Sequence, residues 1–338
     1  MESLYSADDV FLIDIDHGQD LKAGARGLRR LKPWSNLDNV HITLDANVGW
    51  GASGILRKTL QGAFKLLELH KSWRYYINLS GQDLPLKSNT QIKKVLAAGD
   101  ETGANFIRCF KADPITLESV KVDNIGRKTM LWGDRGHTRL YAKPGAINPQ
   151  VDMYARTFVD VAEAGEDGAV FFGTVDPLLH NHRQAFFKKH PFFIGSNWFN
   201  LHRDLIQTMH SDPFTGRLYS LLKTTSNPDE SFFQTYIMNS DFRDTVNKDY
   251  GRLIVRPGPV PRVKIFDRHD WELINESSAM FGRKFDTRRD RRIVKRVLQA
   301  RAEPGVAIQP KARLRANFFN PFNTIKSLDS LPVNNAKL

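Results

Sequence analysis

Apolar positions in this chain follow two periods. In the middle of residues 50–87, Leu56, Leu60, Ala63 or Phe64, and Leu67 recur at three- to four-residue intervals, which puts them on one face of a helix. Elsewhere the apolar runs are short and continuous. Val10-Phe11-Leu12-Ile13-Asp14-Ile15-Asp16 predicts a buried strand ending in an acid, and residues 39–44 predict a second. The aromatic run Trp73-Arg74-Tyr75-Tyr76-Ile77-Asn78-Leu79 predicts another buried strand. Ser80-Gly81-Gln82-Asp83 breaks it, and Pro85 prevents its simple continuation. A polar loop with an acid just past a buried strand is where open α/β sheets place ligands; an ordinary strand-ending turn has the same pattern.

Beyond this point the pattern predicts a short helix at 91–96 and a strand at 104–110. It weakens between 111 and 185: Trp132-Gly133-Asp134-Arg135-Gly136-His137 is loop-like, and 165–168 is a turn. So long an irregular stretch is either a substrate loop or an insertion. Order returns with the aromatic run at 191–201, where Gly195-Ser196 suggests close backbone approach, and His202 opens a helix. In Asn227-Pro228-Asp229-Glu230, Asn227 suits an N-cap and Pro228 the first helical position. Glu230 then takes the reach-back position of a capping box. After a strand at 252–255, a proline-stiffened loop ends on Arg262, and residues 288–301 predict a strongly basic helix. Past Pro304 the chain predicts a tail that is poorly ordered or docked in extended form.

With 338 residues, 41% hydrophobic and 25% charged, the composition is globular and long enough for a large α/β core. No apolar run reaches the roughly 20 residues of a membrane span, and the start lacks the order of a signal peptide. A lone cysteine, Cys109, excludes an internal disulfide and reads as a buried thiol of a protein from a reducing cytoplasm. The net charge of +12 favours polyanionic partners, and it concentrates between Arg283 and Arg296. No zinc-ligand spacing, helix-turn-helix signature or RNA-binding aromatic motif accompanies it, so specific nucleic-acid binding is not expected. Asp14 and Asp16 form an Asp-x-Asp pattern on one strand face; as a metal motif it is weak.

Five motifs occur together in order: Trp50-Gly51-x-Ser53; Ile77-Asn78-Leu79-Ser80-Gly81-x-Asp83-x-Pro85; Gly195-Ser196-x-Trp198-Phe199; Pro228-Asp229-Glu230-Ser231-Phe232-Phe233; and Arg283-Lys284-Phe285-Asp286. As a set they resemble the family of core-2 branching β-1,6-N-acetylglucosaminyltransferases and peptide O-xylosyltransferases. The likeness spans roughly residues 10–286, with a weak centre, and leans toward the xylosyltransferase and bacterial branches. It implies an α/β GT-A fold, a Rossmann-like mixed sheet flanked by helices. It also implies an inverting transfer from a UDP-sugar without a divalent metal. By motif, Glu230 is the base; Asp16, Trp50, Ser80, Asp83, Arg262 and Lys284 line the donor side; Ser196 and Trp198 face the acceptor. A base on the acceptor hydroxyl and fixed cations on the departing diphosphate are what such a displacement needs. Each residue also has a plainer role: Glu230 as helix cap, Trp50 and Trp198 as core, Arg262 and Lys284 as surface cations.

The resemblance divides the chain into a glycosyltransferase domain at 1–286 and a basic helix with tail at 287–338. The family has a further strand before the one ending at Asp16, and only Met1 to Asp9 precede Val10 here, so the expectation is either a truncated start or a branch that lacks the first strand. The expected donors are UDP-N-acetylglucosamine, then UDP-xylose; the expected acceptor is a glycan or lipid-linked glycan of a bacterial surface polysaccharide. No cofactor is expected. The location expected is cytoplasmic, with residues 288–301 either on the anionic inner membrane face or simply solvated. The rival from another class is a catalytically inactive scaffold of the same fold.

Overall fold

The computed structural model describes residues 3–16, 27–45, 48, 53–111, 120–125, 128–133, 139–142, 177–223, 225, 227–257 and 263–302. Strands β1 (Phe11–Asp16) and β2 (Val40–Asp45) pair in parallel, with Phe11 opposite Val40 and Asp16 opposite Asp45. Helix α1 (Ser53–Leu69) buries the predicted face: Leu56, Leu60 and Ala63 are inaccessible and Phe64 is almost so. Full burial of each leucine contributes roughly 1.5–3 kcal/mol, which holds this helix in place.

Strands β3 (Tyr75–Ile77) and β4 (Asp83–Pro85) follow, then α2 (Asn89–Asp100), started by a capping box between Ser88 and Gln91. The strand predicted at 104–110 divides into β5 (Asn105–Phe106) and β6 (Phe110–Lys111). Next come β7 (Val120–Ile125), β8 (Lys128–Gly133) and β9 (Arg139–Ala142), an antiparallel meander in which Lys121 faces Trp132. Trp132 and Gly133 therefore lie on a strand and not in the expected loop. Polar residues such as Lys121, Asp123 and Asn124 hide the strand from a search for apolar runs.

The chain then forms α3 (Pro177–Lys189), β10 (Phe193–Ile194), β11 (Asn200–His202), α4 (Arg203–Ser211) and α5 (Pro213–Leu222). A 3-10 turn at Pro228–Glu230 leads into α6 (Phe232–Met238). The last elements are β12 (Val246–Asn247), β13 (Arg252–Ile254), α7 (Trp271–Glu276), β14 (Phe281–Arg283) and α8 (Arg291–Arg301).

Two small mixed sheets organise the core. One has the order β12-β5-β11-β3, the other β13-β14-β4. Residues 78–82 carry the chain from β3 in the first to β4 in the second. Buried Arg252 pins this seam, its Nη2 donating to the carbonyls of Phe199 (3.1 Å) and Asn78 (3.3 Å) and to Asn200 Oδ1 (2.8 Å). The main apolar cluster joins α1, α4, α5 and α6. Ile293 and Val297 of α8 belong to a second cluster with Leu86, Phe266 and Phe285, so the basic helix packs on the same body that holds β4.

Candidate functional site

The seam between the sheets gathers charged side chains that the apolar core would otherwise exclude. At its floor, Asp83 Oδ2 accepts hydrogen bonds from Ser80 N at 2.6 Å and Ser80 Oγ at 2.5 Å, which folds the predicted Ser-Gly-Gln-Asp break into a tight turn. The backbone N–H of Phe285 donates to the carbonyl of Gln82 at 2.9 Å, tying that turn to the strand that carries the Arg-Lys-Phe-Asp motif.

In the β4–β14 ladder, Arg283 is the register partner of Asp83. Arg283 Nε lies 3.9 Å from Asp83 Oδ1, outside hydrogen-bond range, with the two side chains 8% and 1% exposed. The guanidinium carbon stands 3.6 Å from the centroid of the Trp198 ring. A desolvated cation–π contact of this kind is worth about 2 kcal/mol. Among the described residues, Asp83 Oδ1 and Arg283 Nε and Nη1 have no hydrogen-bond partner. Native proteins rarely leave buried polar atoms so, and two donors and an acceptor converging at one seam suit a polar or ionic ligand. Burial lowers the pKa of Arg283; Asp83 opposes that, Arg256 adds to it, and Glu230 opposes it. Arg252 beside them is lowered to about 10, mainly by burial, with Asp83 again opposing. Glu230, Asp83, Arg252 and Arg283 thus share one electrostatic environment.

Glu230 closes the 3-10 turn, not a regular helical N-terminus. Asn227 adopts φ 46° and ψ 51° and makes no side-chain cap, so the expected capping box is absent. Asparagine is one of the few residues that tolerate the left-handed conformation found at 227. Glu230 is the last residue of this turn. Its carbonyl accepts from Gly195 N at 2.8 Å. A Cβ on Gly195 would stand 1.9 Å from the Arg108 carbonyl oxygen, so only glycine fits there. Gln234 Nε2 donates to the Ser196 carbonyl at 2.9 Å, and Trp198 N to Ser196 Oγ at 3.3 Å. Helix α1 packs on the same turn. Next to Glu230, Asp229 is buried with Oδ1 unpartnered among the described residues, and burial pushes its carboxyl up to about 7.

Ser80, Asp83, Ser196, Trp198 and Glu230 thus converge around the seam. Lys284, half-buried, follows Arg283 and is held by backbone bonds to Lys264 and Phe266. The Asp-x-Asp pattern on β1 diverges from a metal pair at its first member: Asp14 forms an ion pair with Lys58 at 2.9 Å. Asp16 ends β1, but its side chain lies outside the described residues, as do Trp50 and Arg262. Arg283 and Arg252 were missing from the predicted site. Hydrophobic patterning counts every arginine as exposed, and only the position of Arg283 beside Lys284 in the fifth motif signalled it. Cys109 is half-buried, its thiol raised to about 12 by burial.

Residues 2–134 and 168–256 match the family model described as "Branch: Core-2/I-Branching enzyme". The stretch between them, part of the region where the apolar pattern fades, lies outside the match, and so does Arg283-Lys284. Among curated proteins, "Xylosyltransferase oxt" of Drosophila melanogaster is 29% identical over 109 residues, which is 32% of this chain and 12% of the fly protein. The chain thus aligns with only a small part of that relative's length.

Proposed function

The chain belongs to the Core-2/I-branching enzyme family, and on that premise we propose that it is an inverting glycosyltransferase of GT-A fold that uses a UDP-sugar. The observation that carries this reading is the buried Arg283, with unpartnered donors, sharing its electrostatic environment with Glu230 and Asp83. In the proposed reaction the Glu230 carboxylate takes the proton of an acceptor hydroxyl. The acceptor oxygen bonds to the anomeric carbon from one face as the bond to UDP breaks on the other. UDP leaves with that electron pair. Arg283 and Lys284 meet its growing negative charge, the first as a rigid fork of donors and the second as a point charge. Asp83 and Trp198 hold the Arg283 guanidinium in place. Ser80, Asp16, Trp50 and Arg262 are proposed to complete the donor side, and Ser196 to border the acceptor.

Fixed cations on the diphosphate make a divalent metal unnecessary in this scheme. UDP-N-acetylglucosamine is the first donor to test and UDP-xylose the second, the latter favoured by the fly relative's printed name. A glycan or lipid-linked glycan of a surface polysaccharide is the proposed acceptor. No helix among the described residues is long and apolar enough to cross a membrane. A cleft of about 420 Å³, lined by five arginines from Arg268 to Arg292 together with Asp267 and Asp290, keeps an excess of positive charge that would give anionic lipid headgroups a peripheral contact. The test of the chemistry is Glu230→Gln. Turnover should fall by roughly 10²–10⁴-fold, as expected for loss of a general base, with UDP affinity nearly unchanged. Near-normal turnover by the variant would remove Glu230 from the mechanism.

A further inference from the structure

Strand β6 begins with an aromatic side chain that the core leaves out: Phe110 is 46% exposed. It is not a loose surface residue. The Arg108 guanidinium lies 5.0 Å from its ring centroid and 5.2 Å from that of Tyr250, so a cation holds both rings. The other exposed large apolar residues among those described, Val95, Ile265 and Leu273, are aliphatic and offer no ring face. The position of Phe110 is also fixed relative to the site. It is the register partner of Ile194, the next residue is Gly195, and Gly195 N donates to the Glu230 carbonyl. The contact of Gly195 with the Arg108 carbonyl locks the same two segments together from the other side. Summing a cross-strand step, one residue along the chain and one hydrogen bond puts Phe110 within about 12 Å of the Glu230 backbone.

We propose that Phe110, held by Arg108 beside Tyr250, is an acceptor subsite that stacks a second sugar ring of a glycan whose first sugar meets Glu230. The proposal rests on the glycosyltransferase reading of the site. A pyranose presents an apolar C–H face, and a flat aromatic side chain offers it matching area while the hydroxyls stay in water. A ring already fixed by a cation loses little conformational entropy on binding, which is the condition for such a platform to add affinity. The subsite selects for acceptor length: a monosaccharide occupies the position at Glu230 only, and an oligosaccharide covers the platform as well.

The test uses the full chain as wild type, Phe110→Ala and Phe110→Tyr. Each is titrated with UDP and applied to a printed array of mono- to hexasaccharides. The expected result is a loss of about tenfold or more in oligosaccharide binding for Phe110→Ala, retained binding for Phe110→Tyr, and UDP affinity equal in all three proteins. The proposal is overturned if Phe110→Ala binds oligosaccharides like wild type, or if wild type binds UDP and no glycan. It is also overturned if Phe110→Ala loses monosaccharides and oligosaccharides alike, which marks a structural role. Failure of wild type to bind UDP overturns the glycosyltransferase reading itself, and the subsite with it.

Discussion

Replacing Arg283 with methionine tests whether the buried charges at the seam act as a unit. At 3.9 Å from Asp83 Oδ1, a unit charge pair at an effective dielectric near 20 interacts by about 4 kcal/mol. The cation–π contact with Trp198 adds about 2 kcal/mol. Against these stands the cost of burying a guanidinium with two unbonded N–H groups, each worth roughly 1–3 kcal/mol. Removing the arginine abolishes both sides of that balance and leaves Asp83, 1% exposed, as an uncompensated carboxylate. The expected net loss is about 3 kcal/mol, at the low end for breaking a buried pair. Asp83→Asn should cost about 2 kcal/mol, because the amide oxygen still accepts from Ser80. The double variant should cost about 3 kcal/mol rather than 5, a coupling of about 2 kcal/mol. Urea unfolding followed by far-ultraviolet circular dichroism measures all four proteins. Additivity within about 0.5 kcal/mol would refute the reasoning, since uncoupled residues cannot form one electrostatic centre.

Two further outcomes follow from neighbouring residues. Asp229 has its carboxyl raised from 3.8 to about 7 by burial, so the folded chain binds a proton there that the unfolded chain releases, and stability falls as pH rises through that window. Asp229→Asn should flatten this slope, improving stability at pH 8 relative to pH 4 by up to roughly 4 kcal/mol; urea midpoints that track wild type at both pH values would contradict the assignment. Gly195→Ala drives a methyl into the Arg108 carbonyl. It should lower the melting temperature by several degrees, on the order of 2 °C per kcal/mol of strain, and an unchanged melting temperature would show that the two segments are free to separate.

Periodicity made α1 legible because a helix with one buried face writes Leu56, Leu60 and Phe64 into the sequence at fixed intervals. Strands β1, β2 and β3 were legible as dense apolar runs, although β3 proved shorter than its run. The meander at 120–142 was not, since its strands carry lysine, aspartate and asparagine where the search needs apolar residues. At the site, Ser80, Asp83, Trp198 and Glu230 were named from motifs, with Glu230 read either as a helix cap or as the base. The left-handed backbone of Asn227 and its missing side-chain cap are conformational facts that the residue types at 227–230 do not reveal. Arg283 escaped notice for a different reason. Its burial depends on Asp83, which lies about 200 residues earlier in the chain and reaches it only through the antiparallel pairing of β4 with β14.

Calorimetric titration of the full chain with UDP in EDTA tests the central proposal most directly. The expected result is micromolar binding without metal, weakened at least tenfold, or about 1.4 kcal/mol, by Lys284→Ala. Binding that appears only with added manganese would contradict the cation-based site, and absence of binding in both conditions would leave an inactive scaffold of the family.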